Sequence, residues 1–136
     1  MKKIVVASDS FKGSVSSIEV AECAELAIHK VFPDCEVVKI PVGDGGEGTV
    51  ETLITAMGGE AVYCGVHDPL MRPVEATYGI LGDNRTAVIE MATASGLTLV
   101  PVSERNPLRT TTYGTGELIK DAMERGCRNF LIGIGG

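Results

Sequence analysis

A chain of 136 residues, 44% hydrophobic and 22% charged, is long enough for one folded domain and too apolar for a disordered one. Its 12 basic residues are dispersed among 18 acidic ones, a formal net charge of −6, so no basic run marks a nucleic-acid footprint and small molecules or proteins are the expected partners. The four cysteines, Cys23, Cys35, Cys64 and Cys127, contain no C-x-x-C pair, which disfavours a zinc site or a disulfide framework and predicts buried, reduced thiols. No window approaches 18 apolar residues, and the apolar run after the two N-terminal lysines is too short for a signal segment, so no membrane partner and a cytoplasmic location are expected.

In chain order, Lys3 to Ala7 is a β-branched block expected as a strand buried on both faces, followed by the loop SDSFKGS. Ser16-Ser17-Ile18-Glu19 fits a capping box, and Val20, Cys23, Ala24, Ala27, Ile28 and Val31 recur at helical spacing up to Phe32-Pro33-Asp34. A second strand is predicted over Glu36–Val42. The loop PVGDGGEGT then opens a helix over Thr49–Met57 that Gly58-Gly59 ends. Strand-like runs over Ala61–Val66, Val74–Leu81 and Thr86–Met91, separated by HDPLMRP and GDNR, read as an antiparallel meander. VPVSERNP is the best linker candidate. From Arg109 the loop TTTYGTG leads into a helix whose Leu118, Ile119, Ala122 and Met123 share a face, then Gly126 and a strand over Asn129–Ile134.

This rhythm predicts an α/β fold, a Rossmann-like or flavodoxin-like parallel sheet with helices on both faces, plus an inserted antiparallel meander of a second lobe. Residues 1–60 with 104–136 would form the first lobe, left incomplete, and 61–103 the β-rich part of the second. A glycine pair at Gly135-Gly136 just after a strand normally begins a functional loop, so the sequence reads as truncated, with a missing C-terminal part or a second copy covering the last strand.

Three loops carry the chemistry. PVGDGGEGT satisfies G-x-G-x-x-G at Gly43, Gly45 and Gly48, and Asp68 follows 20 residues later, as in a dinucleotide fingerprint. Yet Asp44 and Glu47 would set two negative charges beside a pyrophosphate, at a cost of about 1–4 kcal/mol each at ~4 Å. With Gly45 and Gly46 permitting close approach, the loop better suits Mg²⁺-bound phosphate or a hydroxylated substrate; the plain alternative is a glycine turn with solvated acids. SDSFKGS puts Asp9, Ser10 and Lys12 at the mouth of the first strand, Lys12 for a carboxylate or phosphate and Asp9 as metal ligand or base, unless Asp9 and Ser10 only make side-chain turns. In TTTYGTG, backbone amides and the hydroxyls around Thr112, Gly114, Thr115 and Gly116 could wrap phosphate oxygens, or Thr115 could be only an N-cap.

Glu90 within AVIEMA is a carboxylate in an apolar strand, hence paired or functional unless it faces solvent. Arg72, Arg105 and Arg109 are candidate carboxylate or phosphate clamps, and neither His29 nor His67 has a partner acid and nucleophile at a telling spacing. Two further readings stay open: a non-catalytic nucleotide or organic-acid binding module, and a dinucleotide-dependent oxidoreductase.

Together, DSFKGS at Asp9–Ser14, PVGDGGEGT at Pro41–Thr49, NPLRTTTYGTGELI at Asn106–Ile119 and the final GIGG make the chain resemble the N-terminal part of the bacterial type 1 glycerate kinase family. The resemblance runs the whole length and implies transfer of the ATP γ-phosphoryl group, with Mg²⁺, to a hydroxyl of D-glycerate, in the cleft between two α/β lobes. It also implies a Ser/Thr-Asn-Asp-Gly-Gly segment after the glycine pair, absent here. On that basis Asp9, Lys12 and Asp44 are the expected catalytic residues, Asp9 as base. Asp44 and Glu47 are the expected metal ligands; Ser10, Gly45, Gly46, Glu47, Arg72 and Glu90 would bind substrate, and Thr112, Gly114, Thr115 and Gly116 the nucleotide phosphates.

Overall fold

The computed structural model describes residues 2–11 and 14–135, so the expectation for Lys12 lies outside the described residues. The chain divides into two compact units, residues 1–44 and 45–136.

In the first unit, β1 (Lys3–Ser8) and β2 (Glu36–Pro41) pair in parallel, with Lys3 opposite Glu36 and Ser8 opposite Pro41, and α1 (Ser17–Val31) connects them. The predicted capping box is present. Ser16 Oγ accepts from the Glu19 amide, and Glu19 accepts from the Ser16 amide, which satisfies two otherwise orphaned donors. The buried line of α1 differs from the expected one: Ser17 and Ala21 are buried, whereas Cys23, Ala27 and Val31 are exposed. Val20, Ala24 and Ile28 of the expected stripe are half-buried. Strand β1 is likewise not buried on both faces. Its exposure alternates, with Val5 54% exposed, because a single helix covers the pair within this unit.

The second unit is a four-stranded mixed sheet in the order β3 (Gly59–His67), β4 (Pro73–Leu81), β5 (Thr86–Glu90), β6 (Asn129–Gly133). The first three strands form the predicted antiparallel meander, and β6 adds in parallel to β5, with Ala87 opposite Phe130. The α/β class stands, but the compact units do not follow the boundaries expected at 60/61 and 103/104: the last strand shares the meander's sheet, as do the helices that cover it. Helix α4 (Tyr113–Glu124) covers one face, packing Leu118 and Ala122 against Val62, Ala76, Tyr78, Ala87 and Ile89. On the other, α2 (Thr49–Met57) packs Val50, Leu53 and Ile54 against Leu81 and Val88. Gly79 lies under this helix, where a Cβ would come within 3.0–3.2 Å of the Ile54 and Val50 side chains and make them shift.

Two elements carry no signal strong enough for the sequence reading. One is the single-turn helix α3 (Ala92–Ser95); the other is a pair of 3₁₀ turns at Leu97–Leu99 and Val102–Glu104, the second inside the segment expected to be a linker. All four cysteines are free, but only Cys35 and Cys127 are buried, Cys64 being partly buried and Cys23 exposed. No helix among the described residues is long and apolar enough to cross a membrane.

Polar ties complete the sheet-helix packing. The Tyr78 hydroxyl, on a fully buried side chain, donates to Asp121 Oδ2 at 2.7 Å, and Arg125 Nε donates to the same oxygen at 2.7 Å. Burial acts to raise the Asp121 carboxyl, but these two donors outweigh it and hold it below the ordinary value. At the β4–β5 turn, Asp83 accepts from the Arg85 and Thr86 amides and the Thr86 hydroxyl, while Asn84 adopts φ 54°.

The α4 stripe yields a direct test. Leu118→Ala should lower unfolding free energy by about 2–5 kcal/mol in a urea titration, since it empties a fully buried site. Met123→Ala, on the same expected face but 48% exposed, should cost under about 1 kcal/mol; equal losses would contradict this packing.

Candidate functional site

In the second unit, the carboxyl ends of the parallel strands β5 and β6 meet the start of α2, the place where ligand sites form in open α/β sheets. Met91 N–H donates to the Gly133 carbonyl at 2.9 Å, and Gly135 N–H donates to the Gly45 carbonyl at 3.2 Å. Gly45 (φ 90°) and Gly48 (φ 89°) both adopt left-handed backbone, which glycine reaches at little cost. A Cβ on Gly133 would collide with the Gly45 carbonyl, so glycine is needed at Gly133 for space and favoured at Gly45 for its backbone conformation.

Glu90 is the keystone. It closes β5, is 7% exposed, and its Oε1 accepts from the Val50 amide at 2.7 Å. Helix α2 has glycine at its N-cap and hence no capping side chain of its own; Glu90 supplies an acceptor for the Val50 amide from 40 residues away. Burial pushes its carboxyl up from the ordinary glutamate value, the amide donors pull it back, and the nearby charge of Glu47 adds to the rise. The expectation that this acid is paired or functional is thus met by pairing to the helix start. Its contact is with backbone, which leaves the substrate-binding role expected for it a proposal.

Around it, Gly46 is buried, Glu47 is exposed, and Gly45 N–H donates to the Thr49 hydroxyl at 3.1 Å. Asp44, exposed, ends the first unit. In that unit Asp9 and Ser10 follow β1, half-buried, with the Ser10 amide donating to Asp9 Oδ1 at 2.7 Å. Among the described residues, no group of three or more His, Cys, Asp or Glu could hold a metal ion.

A second cluster lies at the start of α4, and here the structure redistributes the expected roles. Tyr113 to Gly116 form the helix's first turn. Gly114 is buried where a Cβ would collide with the His67 carbonyl, and the buried Thr115 pairs its hydroxyl with Ser95 Oγ at 2.7 Å, so both are packing residues. Gly116 and Thr112 are exposed. Thr110, Thr111 and Thr112 line a cleft of about 530 Å³ with Pro69, Ser95, Gly96, Leu97, Val100, Arg105, Asn106 and Pro107.

Arg72, expected as an anion clamp, is engaged by the protein. It donates to Asp68 at 2.7 Å, to Glu104 at 3.4 Å and to the Leu99 carbonyl at 3.1 Å, and so ties down the segment expected to be a linker. Asp68, the acid that completed the dinucleotide spacing, also accepts from the Leu70 and Arg72 amides. Burial would raise it, but these donors win and lower it, as for a carboxylate that organises a turn.

Sequence spacing missed one pair altogether. His67, at the end of β3, gives its amide to Glu117 Oε2 at 2.8 Å and holds Nδ1 at 3.0 Å from the same carboxylate, with Tyr113 in edge contact at 6.0 Å. The partner is 50 residues away, so only the β3–α4 packing discloses it.

For Glu90 the sign of the pH effect is fixed. Its folded value lies above the unfolded one, so the folded state binds the extra proton, and its contribution falls as pH rises from the ordinary glutamate value through the raised one. Urea midpoints of wild type and Glu90→Gln across pH 4–7 should therefore shift in the variant's favour as pH rises; a pH-independent gap contradicts the assignment. Glu90→Ala, which strands a buried amide, should cost about 1–3 kcal/mol at the acid end of that range and less as pH rises.

The sequence profile of the glycerate kinase family matches residues 4–136. Similar curated proteins include a Glycerate kinase of Bacillus subtilis (55% identical) and a Glycerate 2-kinase of Escherichia coli (54%), each match covering 98% of this chain and 35% of the relative. A crystal structure assigned as a glycerate kinase 2 from Salmonella typhimurium LT2 superposes with a TM-score of 0.89 at 49% identity, covering 100% of this chain and 37% of that one. The chain thus spans about a third of the length of the relatives it matches.

Proposed function

The chain belongs to the glycerate kinase family, and from that premise we propose that it supplies part of an enzyme that transfers the γ-phosphoryl group of ATP to a hydroxyl of D-glycerate. The observation that carries this reading is the family match over nearly every residue, joined to a glycine loop whose acids and tight backbone suit such a substrate. Phosphoryl transfer asks a protein for positioning and charge neutralisation more than for covalent chemistry.

The division of labour follows the charges. Gly45 and Gly46 bring backbone close, while the exposed carboxylates of the same loop, Asp44 and Glu47, can accept hydrogen bonds from the hydroxyls of the acid. They are also the residues that would hold Mg²⁺. The donor set fits that ion: Mg²⁺ is usually bound by one or two carboxylates with water and substrate phosphate, not by a dedicated protein cage. When bound, it would offset phosphate charge. Lys12 and Ser10 would meet anionic oxygens of the substrate, with Asp9 the base for the hydroxyl proton. Thr112 and Gly116, exposed at the start of α4, remain positioned to meet phosphate, whereas Gly114 and Thr115 act through the packing that holds that turn. Glu90 acts as a positioning residue by fixing the amides of α2 behind the glycine loop.

The test is a chimaera in which residues 1–136 replace the matching third of the Escherichia coli relative, 54% identical over this stretch. ADP release in a coupled assay should require D-glycerate, and Asp44→Asn or Lys12→Ala should lower kcat/KM by about 100-fold or more. A folded chimaera without glycerate-dependent ADP release would overturn the activity; variants within a few fold of the parent would overturn the residue roles.

A further inference from the structure

The 530 Å³ cleft before α4 is poorly matched to a three-carbon acid. Its volume falls in the range of sites for drug-sized ligands, and much of its wall is apolar, from Pro69, Leu97, Val100 and Pro107. In a chain of net charge −6, no carboxylate lines it. The charged group that does is Arg105, whose Nε donates to the Val100 carbonyl at 3.2 Å; this orients the guanidinium and leaves its two terminal nitrogens without an acceptor among the described residues. Arg105 and Asn106 also line an adjoining cleft of about 460 Å³ together with Arg109 and with Glu104, whose carboxylate is paired with Arg72 at 3.4 Å. At the same lip, Thr112 is the N-cap of the 12-residue helix α4 and makes no side-chain cap bond, so the positive end of that helix adds to the arginine's charge.

An oriented cation at one side and an apolar wall at the other define a ligand with an anionic end and a larger apolar or planar body. We propose that this cleft binds a nucleotide, with Arg105 and the start of α4 taking phosphate oxygens and Leu97, Val100 and Pro107 covering the base and sugar. The proposal rests on the kinase reading for the identity of the nucleotide. It separates the sites by charge: the acid-bearing glycine loop for the hydroxy acid and metal, the acid-free cleft for ATP. It also moves the phosphate contact from the buried Gly114 and Thr115 to Arg105.

The chain has no tryptophan, so Leu97→Trp, at an exposed position on the cleft wall, gives a single reporter. Titrating this variant of the 136-residue chain with ATP should change its fluorescence saturably, and D-glycerate or inorganic phosphate at the same concentrations should not. Adding Arg105→Ala should raise the Kd for ATP at least 10-fold, with Arg105→Lys in between. Pro107→Glu, an exposed change that puts a carboxylate at the lip, should weaken ATP binding independently of the arginine. Circular dichroism checks that each variant is folded.

An ATP Kd within two-fold of the parent in both Arg105→Ala and Pro107→Glu would overturn the proposal. So would an equal response to D-glycerate, or no response to ATP by fluorescence and calorimetry alike. The kinase reading stands or falls separately. An inactive chimaera with Arg105-dependent ATP binding leaves the cleft intact, and an active chimaera whose KM for ATP is unmoved by Arg105→Ala removes the cleft alone.

Discussion

The buried carboxylate of Glu90 against the first amides of α2 is the contact on which the rest of the second unit depends. Helix α2 begins after Gly48, a residue that can turn the chain through left-handed backbone but has no side chain with which to accept a hydrogen bond. Four amides at a helix start need acceptors, and in a partly buried setting water is a poor source of them. Glu90 meets the need from the end of β5, and in doing so it ties the glycine loop to the sheet at the end where β5 and β6 stop. The cost of burying the acid shows in its raised carboxyl. It is offset because the same group fixes both the loop and the helix behind it.

That arrangement explains why a loop with so many glycines can still have a defined shape. Gly45 and Gly48 each lose much conformational freedom on folding, and the backbone bond from Gly135 to the Gly45 carbonyl and the caps on α2 are what hold them. The last strand is therefore more than a fourth member of the sheet: its glycines are the surface against which the loop is moulded. A side chain at Gly133 would displace the loop whatever the chemistry of Asp44 and Glu47.

How much of this was legible in the sequence depends on the range of the interaction. The capping box at Ser16 and Glu19, the span of α2 and the three strands of the meander are local patterns, and the structure has them within a residue or two. Glu90 was readable in part, because an acid in the run AVIEMA was expected to be paired or functional unless it faced solvent. Its partner was not: nothing in a glycine N-cap says which residue 40 positions on will cap it. The same holds for His67 with Glu117 and for Arg72 with Glu104 and the Leu99 carbonyl, pairs made by packing between elements distant in sequence. The facing of α1 failed for a different reason. The spacing rule counted Cys23, Ala27 and Val31 in one stripe with Ala24 and Ile28, whereas the buried line runs through Ser17 and Ala21 to the half-buried Ala24 and Ile28, four and three residues apart.

The threonine-glycine run shows how helix formation divides one motif between two surroundings. Thr110 to Gly116 looked like a single phosphate-wrapping loop, but helix formation begins at Tyr113 and divides it in two. Its first half faces the cleft; in its second half, Gly114 and Thr115 turn inward, where the first admits the His67 carbonyl and the second pairs with Ser95. Those inward residues set the height of the helix start over the sheet, and so decide where its amides and the neighbouring Arg105 can meet a ligand. Charge differs between the two neighbourhoods: Arg105 and the start of α4 border a cleft that no carboxylate lines, whereas the glycine loop carries the exposed carboxylates Asp44 and Glu47.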